Sequence, residues 1–257
     1  MEPTRIGAVA TDRRALLAAL ATGLFAAGSA RADTACGDPA QAARDRALRE
    51  DFANIAKYAE DNARVRASGD RPCMIFLGDS ITERWMRLRP GFFGNGRVCR
   101  GIGGQTTPQM LVRMVPDVIG LRPHAVHILA GTNDIAANTG PMTLEQSRDN
   151  IDAMATLARA HGIRVLIGSV PPAAAFRWRP EKRPARDIMA LNDMLRRLAE
   201  RHRADWIDYH SALTDAEGGM RENMAGDGVH PLPAGYAVME AVLAPHLPRI
   251  ACGKRHP

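Results

Sequence analysis

The sequence predicts an α/β fold, with a mostly parallel sheet and helices on both of its faces. The 257 residues are 46% hydrophobic and 24% charged, which is typical of a soluble globular protein. Past the N-terminus, five short apolar runs are each followed by a loop, and most of these loops lead into a helical pattern. Parallel strands need long crossovers, which pack as helices against the sheet. No internal repeat, low-complexity tract or linker divides the chain, so we expect one domain.

Residues 1–32 are predicted to be an export signal. The pair Arg13-Arg14 precedes an uncharged run from Ala15 to Gly28, and Ala30-Arg31-Ala32 supplies a small-x-small cleavage pattern. The run is too short for a membrane-spanning helix, which needs about twenty residues. An arginine pair directly before apolar residues resembles a twin-arginine signal, although general secretory export stays open. We therefore expect a mature chain of residues 33–257 that is periplasmic or secreted.

The charge of the mature chain gives little reason to expect a nucleic-acid partner. The net charge of +6 falls to +4 without residues 1–32, because that segment holds four arginines and two acidic residues. A lipid anchor on Cys36 is disfavoured, because no aliphatic residue lies three positions before it. We expect no nucleic acid and no stable membrane anchor, and the oligomeric state stays open.

The four cysteines all lie in the predicted mature chain, where disulfides persist after export. Cys36 and Cys252 are close to its two ends, and the termini of a domain are often neighbours, so we expect this pair to be bonded. Cys73 and Cys99 each lie in an apolar run and are interpreted as small buried hydrophobes, with a second disulfide as the alternative. No CxxC or Cys/His cluster suggests a metal site.

The predicted elements follow in order. Segment 48–59 places apolar residues on one face of a helix. Thr143 and Gln146 have the spacing of a capping box, so a helix is predicted to begin there. The five apolar runs predicted as strands are Cys73–Leu77, Val98–Ile102, Ala125–Ala130, Val165–Gly168 and Trp206–Tyr209.

Small polar loops follow the first three strands, and another precedes the last helix. In open parallel sheets the functional site forms beyond the carboxyl ends of the strands. Nucleophilic acyl transfer needs a hydroxyl, a base, a carboxylate that orients the base, and donors for an oxyanion. The four loops supply all of these groups: Gly78-Asp79-Ser80-Ile81, Gly101-Ile102-Gly103-Gly104-Gln105-Thr106-Thr107, Gly131-Thr132-Asn133-Asp134 and Asp227-Gly228-Val229-His230-Pro231.

Rival motifs are absent from the sequence. Gly78-x-Ser80 is followed by Thr82 where the GxSxG elbow needs glycine. Gly101-x-Gly103 is followed by Thr106 where a dinucleotide fingerprint needs glycine or alanine. There is no phosphate-binding GxxxxGK[ST] loop and no HExxH zinc helix. We expect no cofactor and no metal.

The four loops together resemble the SGNH hydrolases, also called GDSL esterases and lipases. The resemblance lies in Gly78-Asp79-Ser80-Ile81, with isoleucine where the eponymous motif has leucine, and in Gly104, Asn133 and the pair Asp227 and His230. It covers about residues 70–248. It implies a three-layer α/β/α sandwich with a flavodoxin-like, five-stranded parallel sheet.

The resemblance also implies the roles of the site residues. Ser80 would attack the ester carbonyl, His230 would take its proton, and Asp227 would orient the imidazole. The backbone N–H groups of Ser80 and Gly104 and the side-chain amide of Asn133 would bind the oxyanion.

Loop 171–184 is the candidate for substrate recognition, because it is long, proline-rich and basic and carries Phe176 and Trp178. These two aromatic residues are interpreted either as a substrate wall or as residues that pack onto the protein body. Asp79, beside the candidate nucleophile, is a further substrate-binding candidate, and its alternative role is to fix its own loop by hydrogen bonds.

We therefore expect an exported, cofactor-free serine esterase that acts on small esters. Acetyl esters of carbohydrates are the leading substrate class, and lysophospholipase, arylesterase and thioesterase activities stay open. An idle envelope-binding module on the same scaffold is the alternative from a different class.

Overall fold

The computed structural model describes residues 38–250 and 252. The predicted export signal at residues 1–32 lies outside these described residues. Their core is a five-stranded sheet in the order β2-β1-β3-β4-β5, and every neighbouring pair is parallel. This confirms the predicted flavodoxin-like sheet. The strands are β1 (Met74–Gly78), β2 (Arg97–Gly101), β3 (Ala125–Leu129), β4 (Arg164–Gly168) and β5 (Asp205–Ile207).

Helices cover both faces of the sheet. None of the helices in the described ranges combines the length and apolarity needed to cross a membrane. Short 3-10 turns occur at Ile55–Tyr58, Pro90–Phe93, Ile119–Leu121 and Ala244–Arg249. The α-helices are α1 (Pro39–Glu50), α2 (Ala59–Ala67), α3 (Ser80–Leu88), α4 (Thr107–Val112), α5 (Met114–Asp117), α6 (Thr132–Ile135), α7 (Leu144–Ala160), α8 (Ala185–His202), α9 (Tyr209–Leu213) and α10 (Pro233–Leu243).

The core lies in two layers, one on each face of the sheet. Every residue of β1 and β3 is buried, which explains why the central strands are continuous apolar runs rather than alternating ones. Successive side chains of a strand point to opposite faces. Ile75 and Leu77 accordingly join the cluster under α4, α7 and α8, whereas Met74 and Phe76 join the cluster under α3 and α10. The three-layer architecture is therefore confirmed.

The parallel register brings the strand ends together. Gly78 at the end of β1 lies opposite Gly101 of β2 on one side and Leu129 of β3 on the other. The loops that follow these three strands therefore leave the sheet from one edge. This is the edge at which the sequence predicts the site.

All five strands differ from their predicted bounds by one or two residues, and the helix predicted over segment 48–59 is broken. Segment 48–59 is not one helix: α1 ends at Glu50, and both carboxylate oxygens of Asp51 accept backbone N–H groups, of Ile55 and Ala56, at 2.9 Å. Asp51 thereby starts a new turn. The fifth strand ends at Ile207 because Asp208 accepts the N–H of Ser211 at 3.0 Å and caps α9.

The predicted capping box is confirmed at the start of α7. The Thr143 hydroxyl oxygen accepts the N–H of Gln146 at 3.2 Å, and the side-chain oxygen of Gln146 accepts the N–H of Thr143 at 2.9 Å. Ile151 and Met154 on the following turns are buried, as their spacing predicts.

The disulfide pairing expected from the sequence is wrong. Cys252 is bonded to Cys73, with their Cα atoms 5.0 Å apart, and not to Cys36. Cys73 immediately precedes β1 at the edge of the sheet away from the predicted site, and the C-terminal turn returns to this edge. The apolar run after Cys73 suggested a core position, but the cysteine is only half-buried. Cys99 is a free, partly buried thiol in β2.

Candidate active site

Ser80 is the first residue of α3, and only Asp79 separates it from the end of β1. Asp79 caps this helix: its side-chain oxygen accepts the N–H of Ile81 at 2.8 Å. The helix packs very closely on the neighbouring strand, because a Cβ on Gly101 would lie 2.3 Å from the backbone nitrogen of Glu83. Glycine is therefore required at the end of β2. The tight turn leaves the Ser80 side chain partly exposed at the sheet edge.

Ser80, His230 and Asp227 form one continuous hydrogen-bonded relay. The His230 Nδ1 atom lies 2.6 Å from Asp227 Oδ2, and its Nε2 atom lies 2.8 Å from Ser80 Oγ. A carboxylate only accepts hydrogen bonds, so the ring proton belongs on Nδ1. Nε2 is then the acceptor for the Ser80 hydroxyl. This is the tautomer that a general base needs in order to take the serine proton.

The carboxylate of Asp227 is held in its ionised form. Burial by itself would raise its pKa, but this is outweighed by hydrogen bonds from the backbone N–H and ring of His230 and from the backbone N–H of Val229, which lower the pKa to about 2. The guanidinium of Arg84 lies 4.0 Å from the same carboxylate. At neutral pH, Asp227 therefore carries the negative charge that stabilises a protonated His230.

Two backbone N–H groups are available beside the serine. Those of Ser80 and Gly104 donate no hydrogen bond to any described residue. Gly104 has a φ of +77°, which favours glycine, and a Cβ there would meet nothing within 4 Å. The backbone at Gly104 is thus open to an approaching ligand.

The amide of Asn133 lies buried at the same place. Its Nδ2 donates to the carbonyl of Gln105 at 3.0 Å and to Asp79 Oδ2 at 3.2 Å, and its Oδ1 accepts from Asn138 Nδ2 at 2.8 Å. An oxyanion at this amide would share the N–H that now reaches Asp79 over the longer distance. The structure thus brings together all five residues that the resemblance singles out.

Asp79 is buried rather than open to a substrate. Its two oxygens accept from Ile81 and from Asn133, as the loop-fixing interpretation of this residue requires. Burial raises its pKa to about 7, although the N–H of Ile81 opposes the shift.

A buried arginine that the sequence analysis missed braces the two site loops. Arg113 donates to the carbonyl of Gly78, at 2.9 Å, and to the side-chain oxygen of Gln105, at 2.6 Å. It also pairs with Asp117 at 2.8 Å, and both side chains are almost fully buried. Gly78 precedes the serine turn and Gln105 follows Gly104. Arginine is ordinarily a surface residue, so the sequence held no signal for this role.

Trp178 is the only one of the substrate-recognition candidates with a large exposed surface. Its ring is 41% exposed and lies 6.2 Å, between centroids, from the His230 ring. Phe176 is fully buried and stacks on Trp178 at 5.0 Å, so it supports the indole and presents no surface to a substrate. Trp178 Nε1 donates to Asn138 Oδ1 at 3.1 Å, a partner that the sequence analysis did not identify.

No group of three or more His, Cys, Asp or Glu side chains within residues 38–250 and 252 is arranged to hold a metal ion. The site residues have the geometry that nucleophilic acyl transfer by a serine hydrolase requires. A hydroxyl, an oriented base and backbone N–H groups that donate to no described residue lie together at one edge of the sheet.

Comparison with known proteins identifies the family. Residues 76–238 match the GDSL-like Lipase/Acylhydrolase family, and the chain belongs to it. It is an ester-hydrolysing enzyme, and the idle binding module considered above is set aside. A GDSL-like lipase from Bacteroides thetaiotaomicron is 39% identical, with a TM-score of 0.73 over 77% of this chain and 98% of that chain. A second solved structure, from Bacteroides fragilis, gives the same identity, coverage and TM-score.

A match to a curated protein covers a shorter region. An uncharacterised lipoprotein of Bacillus subtilis is 27% identical over an alignment of 139 residues, and the match covers 46% of this chain and 56% of that protein. The chain thus spans little more than half the length of this relative.

Proposed function

We propose that this protein is an exported serine esterase that hydrolyses small carboxylic esters, with acetyl esters of carbohydrates as its leading substrates. The observation that carries the proposal is the relay from Asp227 through His230 to Ser80, with both histidine contacts at 2.8 Å or less. The backbone N–H groups of Ser80 and Gly104, which donate to no described residue, are the candidate oxyanion donors beside this relay.

Acylation begins with attack of Ser80 Oγ on the ester carbonyl carbon. As the new C–O bond forms, the hydroxyl proton moves to His230 Nε2, and the imidazolium is stabilised by Asp227. The carbonyl oxygen becomes an oxyanion, which accepts hydrogen bonds from the N–H groups of Ser80 and Gly104 and from the Asn133 amide. The intermediate collapses when the ester C–O bond breaks and His230 gives its proton to the leaving alcohol.

Deacylation repeats these steps with water. His230 removes a proton from a water molecule, whose oxygen attacks the acyl carbon on Ser80. The same donors bind the second oxyanion. The acid leaves when the bond to Ser80 Oγ breaks and the serine recovers its proton from His230. No step needs a metal or an organic cofactor.

The preference for carbohydrate esters rests on Trp178. Its indole is exposed beside the catalytic histidine and is held in place by stacking on Phe176. An exposed, fixed aromatic face beside the reacting atoms suits a sugar ring, which presents a flat apolar face of its own. We expect Trp178→Ala to raise KM for a carbohydrate ester several-fold more than KM for p-nitrophenyl acetate.

Export is supported by three features. The twin-arginine-like pattern of residues 1–32 precedes the folded domain. The Cys73–Cys252 disulfide is of a kind that persists in oxidising compartments. The curated Bacillus subtilis relative is named a lipoprotein, and lipoproteins are a class of protein found in the cell envelope. We propose a periplasmic or secreted enzyme without a stable membrane anchor or nucleic-acid partner.

The test is hydrolysis by purified residues 33–257 of p-nitrophenyl esters from acetyl to dodecanoyl, with acetylated xylan as a second substrate. Ser80→Ala is the decisive variant, and Ser68→Ala, an exposed serine in another part of the fold, is the matched control. We expect Ser80→Ala to lose at least ~10³-fold in kcat and Ser68→Ala to retain wild-type activity.

The acyl-chain profile then separates the substrate classes. An acetyl preference with acetate release from xylan supports the carbohydrate assignment. A medium-chain optimum would replace it with a lysophospholipase or thioesterase activity. Equal activity of wild type and Ser80→Ala would refute the serine mechanism.

A further inference from the structure

Asn138 lies at the meeting point of three loops at the active-site edge. Its backbone N–H donates to the carbonyl of Asn133 at 3.0 Å. The adjacent Thr139 hydroxyl lies 2.9 Å from that of Thr106, in the loop after β2, and Arg179 of the substrate loop donates to the carbonyl of Ala137 at 3.2 Å. The segment is therefore held from both sides.

The side chain of Asn138 connects the exposed indole to the candidate oxyanion amide. Its Oδ1 accepts from Trp178 Nε1 at 3.1 Å, and its Nδ2 donates to Asn133 Oδ1 at 2.8 Å. Nδ2 also lies 3.4 Å from the carbonyl of Gly104. The partly exposed Asn138 side chain thus contacts both the exposed Trp178 indole and the buried Asn133 amide.

The direction of each hydrogen bond in this network is fixed at both ends, by the Trp178 indole at the outer end and by the backbone carbonyl of Gln105, which can only accept, at the inner end. An indole N–H can only donate, so Asn138 must turn its oxygen toward Trp178. The Asn138 side-chain nitrogen then faces Asn133 and donates to the Asn133 side-chain oxygen. The nitrogen of Asn133 is thereby directed to the opposite side, toward Gln105 and the serine turn. The alternative amide orientation would set two N–H groups, or two oxygens, against each other.

We propose that Asn138 is a positioning residue that holds the Asn133 amide with its N–H groups toward the oxyanion, and that Trp178 fixes which way the Asn138 amide is turned. This inference rests on the proposed function, because it assigns Asn138 a part in the same reaction. Asn138 is the one described side chain that donates to Asn133 Oδ1, and Asn133 is almost fully buried. Without that donor the buried oxygen loses its partner and the amide loses one of its constraints.

The test is Asn138→Asp, which keeps the shape and the acceptor for Trp178 but replaces the donor toward Asn133 with a second oxygen. We expect kcat for p-nitrophenyl acetate to fall ~10- to 100-fold, while KM changes less than about threefold, because the amide is misdirected and the binding surface is intact. Asn138→Ala removes the donor without adding charge, and we expect a smaller fall in kcat in the same direction. Asn95→Asp is the matched control: it makes the same exchange in an exposed turn before β2, at the opposite edge of the sheet, and we expect kcat within about twofold of wild type.

Combining the Asn138 substitution with Asn133→Ala distinguishes a positioning role of Asn138 from a general structural role. In Asn133→Ala the amide that Asn138 orients is absent, so adding Asn138→Ala, which brings no charge to the oxyanion, should lower kcat by no more than about twofold. The inference is overturned if Asn138→Asp and Asn138→Ala both keep wild-type kcat, or if Asn138→Ala costs the same factor in both backgrounds.

The proposed function fails separately from this inference. If Ser80→Ala keeps wild-type ester hydrolysis, the serine mechanism is refuted. If Ser80→Ala and Asn133→Ala lose activity and the Asn138 variants do not, the serine esterase stands and the positioning role alone is refuted.

Discussion

The Cys73–Cys252 disulfide closes almost the whole described chain into one loop, and we expect its loss to lower stability substantially. The two cysteines are 179 positions apart. A cross-link restricts the unfolded chain, and a loop of this length corresponds to about 5 kcal/mol at 25 °C in the chain-entropy treatment. Losses for native disulfides run from about 2 to 5 kcal/mol. We expect Cys252→Ala to lower the free energy of unfolding by this amount and Tm by roughly 4–20 °C.

The assay is urea unfolding of residues 33–257, with and without a reducing agent. Cys99→Ala is the matched control, because it removes a free and partly buried thiol and leaves the disulfide intact. The reducing agent should destabilise the wild type and Cys99→Ala equally. It should leave Cys252→Ala unchanged, because this variant has no such bond to reduce.

Two results would refute the reasoning. One is an unchanged unfolding midpoint for Cys252→Ala under non-reducing conditions. The other is a disulfide between Cys36 and Cys252 in a peptide map of the unreduced protein, which would contradict the pairing itself.

Three further predictions concern the site and its support. Asn133→Ala should lower kcat ~10²- to 10³-fold with little change in KM, since it removes one oxyanion donor; steady-state kinetics on p-nitrophenyl acetate would show an unchanged kcat if the assignment is wrong. Asp79 should make the protein less stable as pH rises from about 4 to 7: its buried carboxyl has a pKa of about 7 against 3.8 in an ordinary setting, so ionisation in this range is easier in the unfolded chain. Urea unfolding across this range should show Asp79→Asn with a flatter pH dependence than wild type, and parallel profiles would contradict the assignment. Arg113→Met should cost roughly 3–5 kcal/mol, because it leaves the Asp117 carboxylate buried without its partner. Arg113→Met/Asp117→Leu should recover much of that loss in the same unfolding assay, and a double variant no more stable than Arg113→Met would argue against the pair.

The residues of the candidate site could be predicted from the sequence because each of them lies in a short, recognisable sequence pattern. Ser80, Gly104 and Asn133 lie within a few residues of the ends of short apolar runs, and a run of buried residues followed by small polar ones predicts both the strand and its loop. Parallel pairing then places those loops at one edge without further information. Asp227 and His230 are three residues apart, so a single turn presents both side chains to each other.

The residues that support the site could not be predicted from the sequence, because the groups around them come from distant parts of the chain. Arg113, between α4 and α5, is of a residue type that ordinarily lies on the surface, yet it is buried against the end of β1 and the loop after β2. Asn138 resembles any loop asparagine until Trp178, forty positions later, is placed beside it.

The sequence by itself determined where the strands lie, which loops follow them and which residues are able to carry the reaction. The spacing of buried residues and the residues that form turns act over a few neighbouring positions, so they can be recognised in the sequence. The tertiary structure alone decided which cysteines pair, that Arg113 is buried against the site loops, and how the Asn133 amide is oriented. Cys73 meets Cys252 only because the C-terminal turn returns to the opposite edge of the sheet from the active site. Contacts between residues so far apart in sequence depend on how all of the elements pack, and no local pattern records them.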